Sequence, residues 1–132
     1  MFSKEKEMRM ERFRDYKYGF FVHYVWGGTA YPATPNPDGS TPNGLQELAD
    51  QFPVEQFAQQ MERIGAQYVI FTAFHANMNA MYPSQVLERF LPGHSAKRDL
   101  IREVIDALKS KGIQVMLYTH PRDGHDLTKE EG

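Results

Sequence analysis

Three short runs of aromatic and β-branched residues recur along this chain, and amphipathic stretches closed by glycine separate them. The first run covers residues 18–25, with Phe20, Phe21, Val22, Tyr24 and Val25. The second covers 67–74, with Tyr68, Val69, Ile70, Phe71 and Phe74, and the third covers 113–118, with Ile113, Val115, Met116, Leu117 and Tyr118. Near-continuous apolar character, rather than strict alternation, predicts strands covered on both faces, which is the signature of a parallel sheet. Between the first two runs, Val54, Phe57, Ala58, Met61 and Ile64 follow at helical spacing, with Pro53 at the first helical position and Gly65 as the stop. Between the last two, residues 98–111 carry Leu100, Ile101, Val104, Ile105 and Leu108 on one face, and Gly112 closes the helix. A weakly amphipathic helix capped by Ser3 is expected over residues 3–16, and a short one over 83–91, ended by Pro92-Gly93-His94. The strand–helix–strand lengths fit right-handed βαβ crossovers and define an α/β chain. After the first strand, Pro32, Pro35, Pro37, Gly39, Pro42 and Gly44 mark a long loop. Trp26 and Tyr31 near its start predict that it is ordered and functional.

Composition narrows the function classes. The 132 residues carry 15 Lys plus Arg against 17 Asp plus Glu, so no broad positive field exists to attract phosphate, and nucleic-acid binding is not expected. There is no cysteine, which removes disulfide frameworks, thiolate zinc sites and cysteine nucleophiles. No apolar run approaches the roughly 20 residues of a membrane span, so no membrane partner is expected. The charged residues 3–7 do not read as a signal peptide, which points to the cytoplasm unless a leader has been removed, when periplasm or secretion stays open. Neither a Gly-x-Gly-x-x-Gly turn nor a Gly-x4-Gly-Lys-Ser/Thr loop is present, and no cofactor is expected.

The strands end in polar, ring-bearing residues. The first gives His23, Tyr24 and Trp26, the second His75, Asn77 and Asn79, and the third Tyr118, Thr119, His120, Arg122, Asp123, His125 and Asp126. Strand C-termini share one rim in parallel α/β folds, so these sets should converge. Aromatic faces beside imidazole and amide groups suit a sugar. The competing reading of His23 is a core histidine, of Trp26 a core cover, of Met78 and Met81 simple packing, and of His94 a turn or cap residue. His120, Asp123, His125 and Asp126 have metal-like spacing but match no fixed pattern, and such a loop more often forms an Asx turn with solvated charges. Asp123 and Asp126 sit too close in one loop to straddle a glycosidic bond.

Several segments then resemble a known family. Tyr18-Gly19-Phe20-Phe21-Val22-His23-Tyr24 is similar to the "FGIFIHWG" first strand of the α-L-fucosidases, the retaining glycoside hydrolases of family 29. Gly65-Ala66-Gln67-Tyr68-Val69-Ile70-Phe71-Thr72-Ala73-Phe74-His75 resembles their "GAKYVVLTAKHHDGF", and Tyr82-Pro83-Ser84 their "WPS". Lys97-Arg98-Asp99-Leu100-Ile101, with residues 111–118, looks like "RDLVGE…KRGLKFGLYYS". The resemblance runs in order from about residue 12 to residue 118.

It implies a (β/α)8 TIM-like barrel, of which residues 1–132 would form a single domain holding the first three βα units, the N-terminal portion, incomplete as given. A complete barrel takes about 250 residues. It also implies a carbohydrate ligand, fucose or a related sugar, with His23 and His75 in the positions of two sugar-contacting histidines. Ala76, Asn77 and Tyr24 depart from the family's second His, Asp and Trp, and so remove contacts. The family's nucleophile and acid/base lie beyond Gly132, so no catalytic carboxylate is assigned within the chain. The expected sugar-binding set is His23, Tyr24, Trp26, His75, Asn77, Tyr118 and His120. Open sheet edges would be covered by the remaining barrel or by a second copy. Two rivals stand beside this reading: a non-catalytic carbohydrate-binding or assembly module, and a metal-dependent hydrolase built on the 120–126 loop.

Overall fold

The computed structural model describes residues 3–27, 32–75 and 77–120. The elements run α1 (Lys4–Asp15), β1 (Gly19–Val22), α2 (Leu45–Gln51), α3 (Val54–Arg63), β2 (Tyr68–His75), β3 (Asn79–Ala80), α4 (Gln85–Phe90), α5 (Leu100–Ser110) and β4 (Gln114–Thr119). β2 is the central strand. It pairs in parallel with β1, Gly19 opposite Tyr68 and Val22 opposite Phe71, and in parallel with β4, Tyr68 opposite Gln114 and Thr72 opposite Tyr118. The predicted parallel α/β arrangement is therefore present. The short β3 folds back antiparallel onto the end of β2, with His75 opposite Asn79.

The two main helices use one device to turn back into the sheet. At the end of α3, Ala66 N donates to Met61 O and Gly65 N to Glu62 O. At the end of α5, Ile113 N donates to Leu108 O and Gly112 N to Lys109 O. Both are Schellman turns, and the left-handed residue is glycine each time, Gly65 at φ 74 and Gly112 at φ 72. Asp99 caps α5 by accepting from Arg102 N at 3.0 Å. Pro53 stands one residue earlier than expected, at the N-cap of α3, and its carbonyl accepts from Phe57 N. Ile64, expected on the buried face, caps the helix and is exposed.

One layer of core lies between the sheet and its helices. Val69, Phe71 and Ala73 of β2 meet Leu48 and Ala49 of α2, Ala58 and Met61 of α3, and Leu100, Val104 and Leu108 of α5. Each fully buried Leu- or Phe-sized side chain stabilises the fold by about 1.5–3 kcal/mol. Phe20 and Val22 of β1 and Val115 of β4 pack on this core from the same face. By strand alternation Phe21, Ile70 and Met116 therefore lie on the opposite face of the sheet. The N-terminal end of that second face is covered by α1, whose Phe13 ring lies 5.8 Å from that of Tyr68.

β1 is shorter than the run 18–25 suggests. Thr72 Oγ1 donates to Val22 O at 2.8 Å, and Val25 then pairs with Thr34 through both its N–H and its carbonyl. Those bonds lead the chain off the sheet after Val22. The proline-rich segment that follows is held by a polar network. The Glu47 carboxylate accepts from Asn43 N and Nδ2 and from Asn36 Nδ2, and Gln51 Nε2 donates to Asn36 Oδ1.

These bonds, chiefly those from Asn43, hold the Glu47 carboxyl below its usual value near 4.5. A depressed carboxyl contributes stability above its unfolded pKa and loses it as pH falls through the folded one. Amide exchange in residues 36–44 should therefore accelerate as pH drops below about 4.5, after correction for intrinsic rates. Glu47→Gln, whose exchange would already be fast at neutral pH, should show little further change.

Candidate functional site

The second face of the sheet carries a cluster of rings at the C-terminal ends of β1, β2 and β4. His23 lies just past β1, His75 ends β2, Tyr118 is on β4 and His120 lies just past it. Ring centroids are 5.1 Å apart for His23–His75, 5.4 Å for His23–Tyr118 and 5.6 Å for His75–Tyr118. His120 stacks on His75 at 5.0 Å. Phe21 completes the set, 4.6 Å from His23 and 5.0 Å from Tyr118.

His75 reaches this face through an irregularity. The β2–β4 register shifts between Thr72 and Phe74. Without that shift, strict alternation from Tyr68, Ile70 and Thr72 would place Phe74 on the ring-bearing face and turn His75 away. His75 is buried and His23 is exposed, so the cluster runs from the sheet out to solvent. His120 N donates to Phe74 O, which holds the end of β4 against the bulge.

The other expected residues are placed differently. Tyr24 is set apart from the rings. It is 8% exposed, its hydroxyl donates to Leu48 O at 2.7 Å, and its ring meets Phe52 and Phe71 in the core. Burial pushes its phenol above the ordinary value. Trp26 is partly buried against the core, and its carbonyl accepts from Asn79 Nδ2 at 3.3 Å. Asn77 Nδ2 donates to Gly27 O at 3.1 Å. Asn77 Oδ1 and His120 Nδ1 are the two buried side-chain polar atoms that lack a hydrogen-bond partner among the described residues, and both sit at this end of the sheet. Buried polar atoms are rarely left unpaired.

Among the described residues no group of three His, Asp or Glu side chains is arranged to hold a metal ion. Asp123, His125 and Asp126 lie outside the described residues. No described helix is long and apolar enough to cross a membrane. The sequence marks Phe21 only as strand and His94 only as a turn or cap residue. Membership of Phe21 was legible from its parity with His23 once the end of the strand was known.

Three parallel strands, joined by two helical crossovers and ending in a polar, ring-lined rim, are part of a TIM-barrel, glycoside-hydrolase-like catalytic domain. The family model described as "Alpha-L-fucosidase" matches residues 45–130, and the chain belongs to that family. An α-L-fucosidase of family 29 from Bacteroides thetaiotaomicron is similar in structure, with a TM-score of 0.57 at 22% identity over 83% of this chain and 29% of that one. The same holds for that enzyme trapped as a covalent intermediate in complex with 2-fluoro-fucosyl fluoride, again at 0.57 and 22% over 83% and 29%. The α-L-fucosidase from Vibrio sp. strain EJY3 gives 0.57 at 18% identity over 86% of this chain and 23% of that one. The chain thus spans less than a third of the length of these solved enzymes. No individual curated protein matches it.

Proposed function

We propose that this chain supplies the first part of the sugar site of a fucosidase-like retaining glycoside hydrolase. The observation that carries the reading is the convergence of His23, His75, Tyr118 and His120, from three strands, at one rim of a chain in this family. Imidazole and phenol groups donate and accept at once, as sugar hydroxyls do, and the ring of Phe21 offers an apolar face beside them. A fucose-like sugar is the ligand of choice, since the solved relatives are α-L-fucosidases.

Hydrolysis with retention needs two carboxyl groups about 5 Å apart, one as nucleophile and one as acid and base. The rim rings include no carboxylate, so these groups would come from polypeptide beyond the residues described. The same polypeptide would cover the sheet. Among the described residues β1 and β4 each pair only with β2, Phe21 is 50% and Leu117 48% exposed, and a cleft of about 340 Å³ runs beside β4, lined by Ile101, Ile105 and Leu117. Parallel sheets are normally covered on both faces.

The test is titration of the 132-residue chain with L-fucose, followed by NMR of the histidine ring protons. Saturable millimolar binding is expected, weakened at least about tenfold in His75→Ala by loss of hydrogen bonds to the sugar. Turnover of an aryl α-L-fucoside by the same chain is not expected. Absence of saturable binding, or binding untouched by both His23→Ala and His75→Ala, would remove the reading.

A further inference from the structure

The turn leaving β2 holds two successive non-glycine residues in the left-handed region, Asn77 at φ 55 and Met78 at φ 58. Side chains rarely adopt that region, and such residues persist only where the surroundings impose it. The groups that impose it here connect three segments. His94 Nδ1 lies 2.7 Å from Asn77 O. A carbonyl can only accept, so Nδ1 carries the proton. Asn77 Nδ2 continues the chain to Gly27 O at 3.1 Å, and Asn79 Nδ2 runs beside it to Trp26 O. His94 is itself fastened, because its carbonyl accepts from Ala80 N at 2.8 Å and its N–H donates to Leu91 O at 3.2 Å.

The backbone leaving β1 is thereby tied to the turn leaving β2. The two tied carbonyls lie three and four residues past His23, and Asn77 lies two past His75. From this geometry we infer that His94 is a positioning residue of the rim: by holding the Asn77 carbonyl it sets the separation of the two loops, and so the His23–His75 contact. Its value for ligand binding rests on the sugar-site reading above, whereas the clasp itself does not.

Trp26 is the chain's one tryptophan, and its carbonyl is one of the tied groups, so its fluorescence reports the clasp with no sugar present. In His94→Ala the Trp26 emission should move to longer wavelength with the far-UV circular dichroism unchanged, and the affinity for L-fucose should fall about tenfold, the loss of one hydrogen bond. His94→Asn should restore both, because the asparagine Nδ2 occupies the place of the histidine Nδ1. His94→Ala with unchanged emission overturns the clasp. So does a change in His94→Ala that His94→Asn fails to restore, since ring packing alone would then be responsible. Should His94→Ala not fold, Asn77→Ala, which cuts the next link, must give the same emission shift, and its failure to do so is equally decisive. If wild-type chain does not bind L-fucose, the sugar reading falls while the emission comparison still decides the clasp.

Discussion

Replacing Arg98 with alanine is expected to lower the stability of the chain by about 3 kcal/mol, because one guanidinium closes both α2 and the start of α5. Its Nη1 donates to Ala49 O and Asp50 O at 2.8 Å and more weakly to Phe52 O at 3.3 Å. Those carbonyls lie at and just beyond the C-terminus of α2, where carbonyls otherwise lack partners. The other side of the fork meets the Glu103 carboxylate, Nε at 3.0 Å and Nη2 at 2.6 Å. The Arg98 side chain is only 22% exposed, so its hydrogen bonds are partly screened from water rather than lost in it. Alanine strands the carbonyls and the carboxylate together. Lysine restores the charge but not the planar fork, so Arg98→Lys should recover less than half of the loss.

Acid acts on the same contact. The hydrogen bond from Arg98 holds the Glu103 carboxyl below its usual range. The stability it lends is present above the unfolded glutamate pKa and disappears as pH falls through the folded value. Glu103 is half exposed, so this part is the smaller one. Urea denaturation at neutral pH and again in acid separates the two. Arg98→Ala should be weaker at both pH values, and the gap from wild type should narrow in acid. A loss under 1 kcal/mol at neutral pH would show that water replaces the fork at little cost.

The parts of the fold that were legible in the sequence are those with a long enough period. α5 was plain because Leu100, Ile101, Val104 and Leu108 repeat on one face and are buried. α2 was not, although Leu45, Leu48 and Ala49 show the same spacing. Its seven residues sit between Gly44 and Pro53 in a segment whose prolines read as loop. β3 has two residues and therefore no period at all. At the rim, the meeting of His23, His75, Tyr118 and His120 followed from one rule, that parallel strands end on one side. The separation of Tyr24 from His23 needed the finer rule that neighbouring strand positions face opposite ways, which sets Tyr24 with Phe20 and Val22 on the core. The clasp was invisible for a different reason. His94 and Asn77 are 17 residues apart, and only the left-handed turn brings the ring to the carbonyl.

Gly19→Ala is expected to cost about 2 kcal/mol, and the loss should appear first at α1 rather than at the mutated strand. Gly19 faces Tyr68 across the β1–β2 pair, and a Cβ built on it would fall 2.5 Å from Cε2 and Cζ and 2.6 Å from Cδ1 of that ring. Contact with atoms from both sides of the ring means that its face lies over the glycine, the arrangement in which an aromatic covers a glycine on an edge strand. A methyl group there has nowhere to go unless the ring swings out. Tyr68 is also the anchor for α1, which has no buried residue of its own and meets the sheet through Phe13 and Tyr16, each 5.8 Å from the Tyr68 ring. Displacing the ring therefore undocks the helix. Limited proteolysis should cut residues 4–15 much faster in Gly19→Ala than in wild type, while the near-UV circular dichroism of the helix-facing core changes little. Gly19→Ala combined with Tyr68→Ala should recover the strand pairing but not the docking, because the space is returned and the anchor is gone. Equal protection of α1 in Gly19→Ala and wild type would mean that the helix is held by something other than this ring.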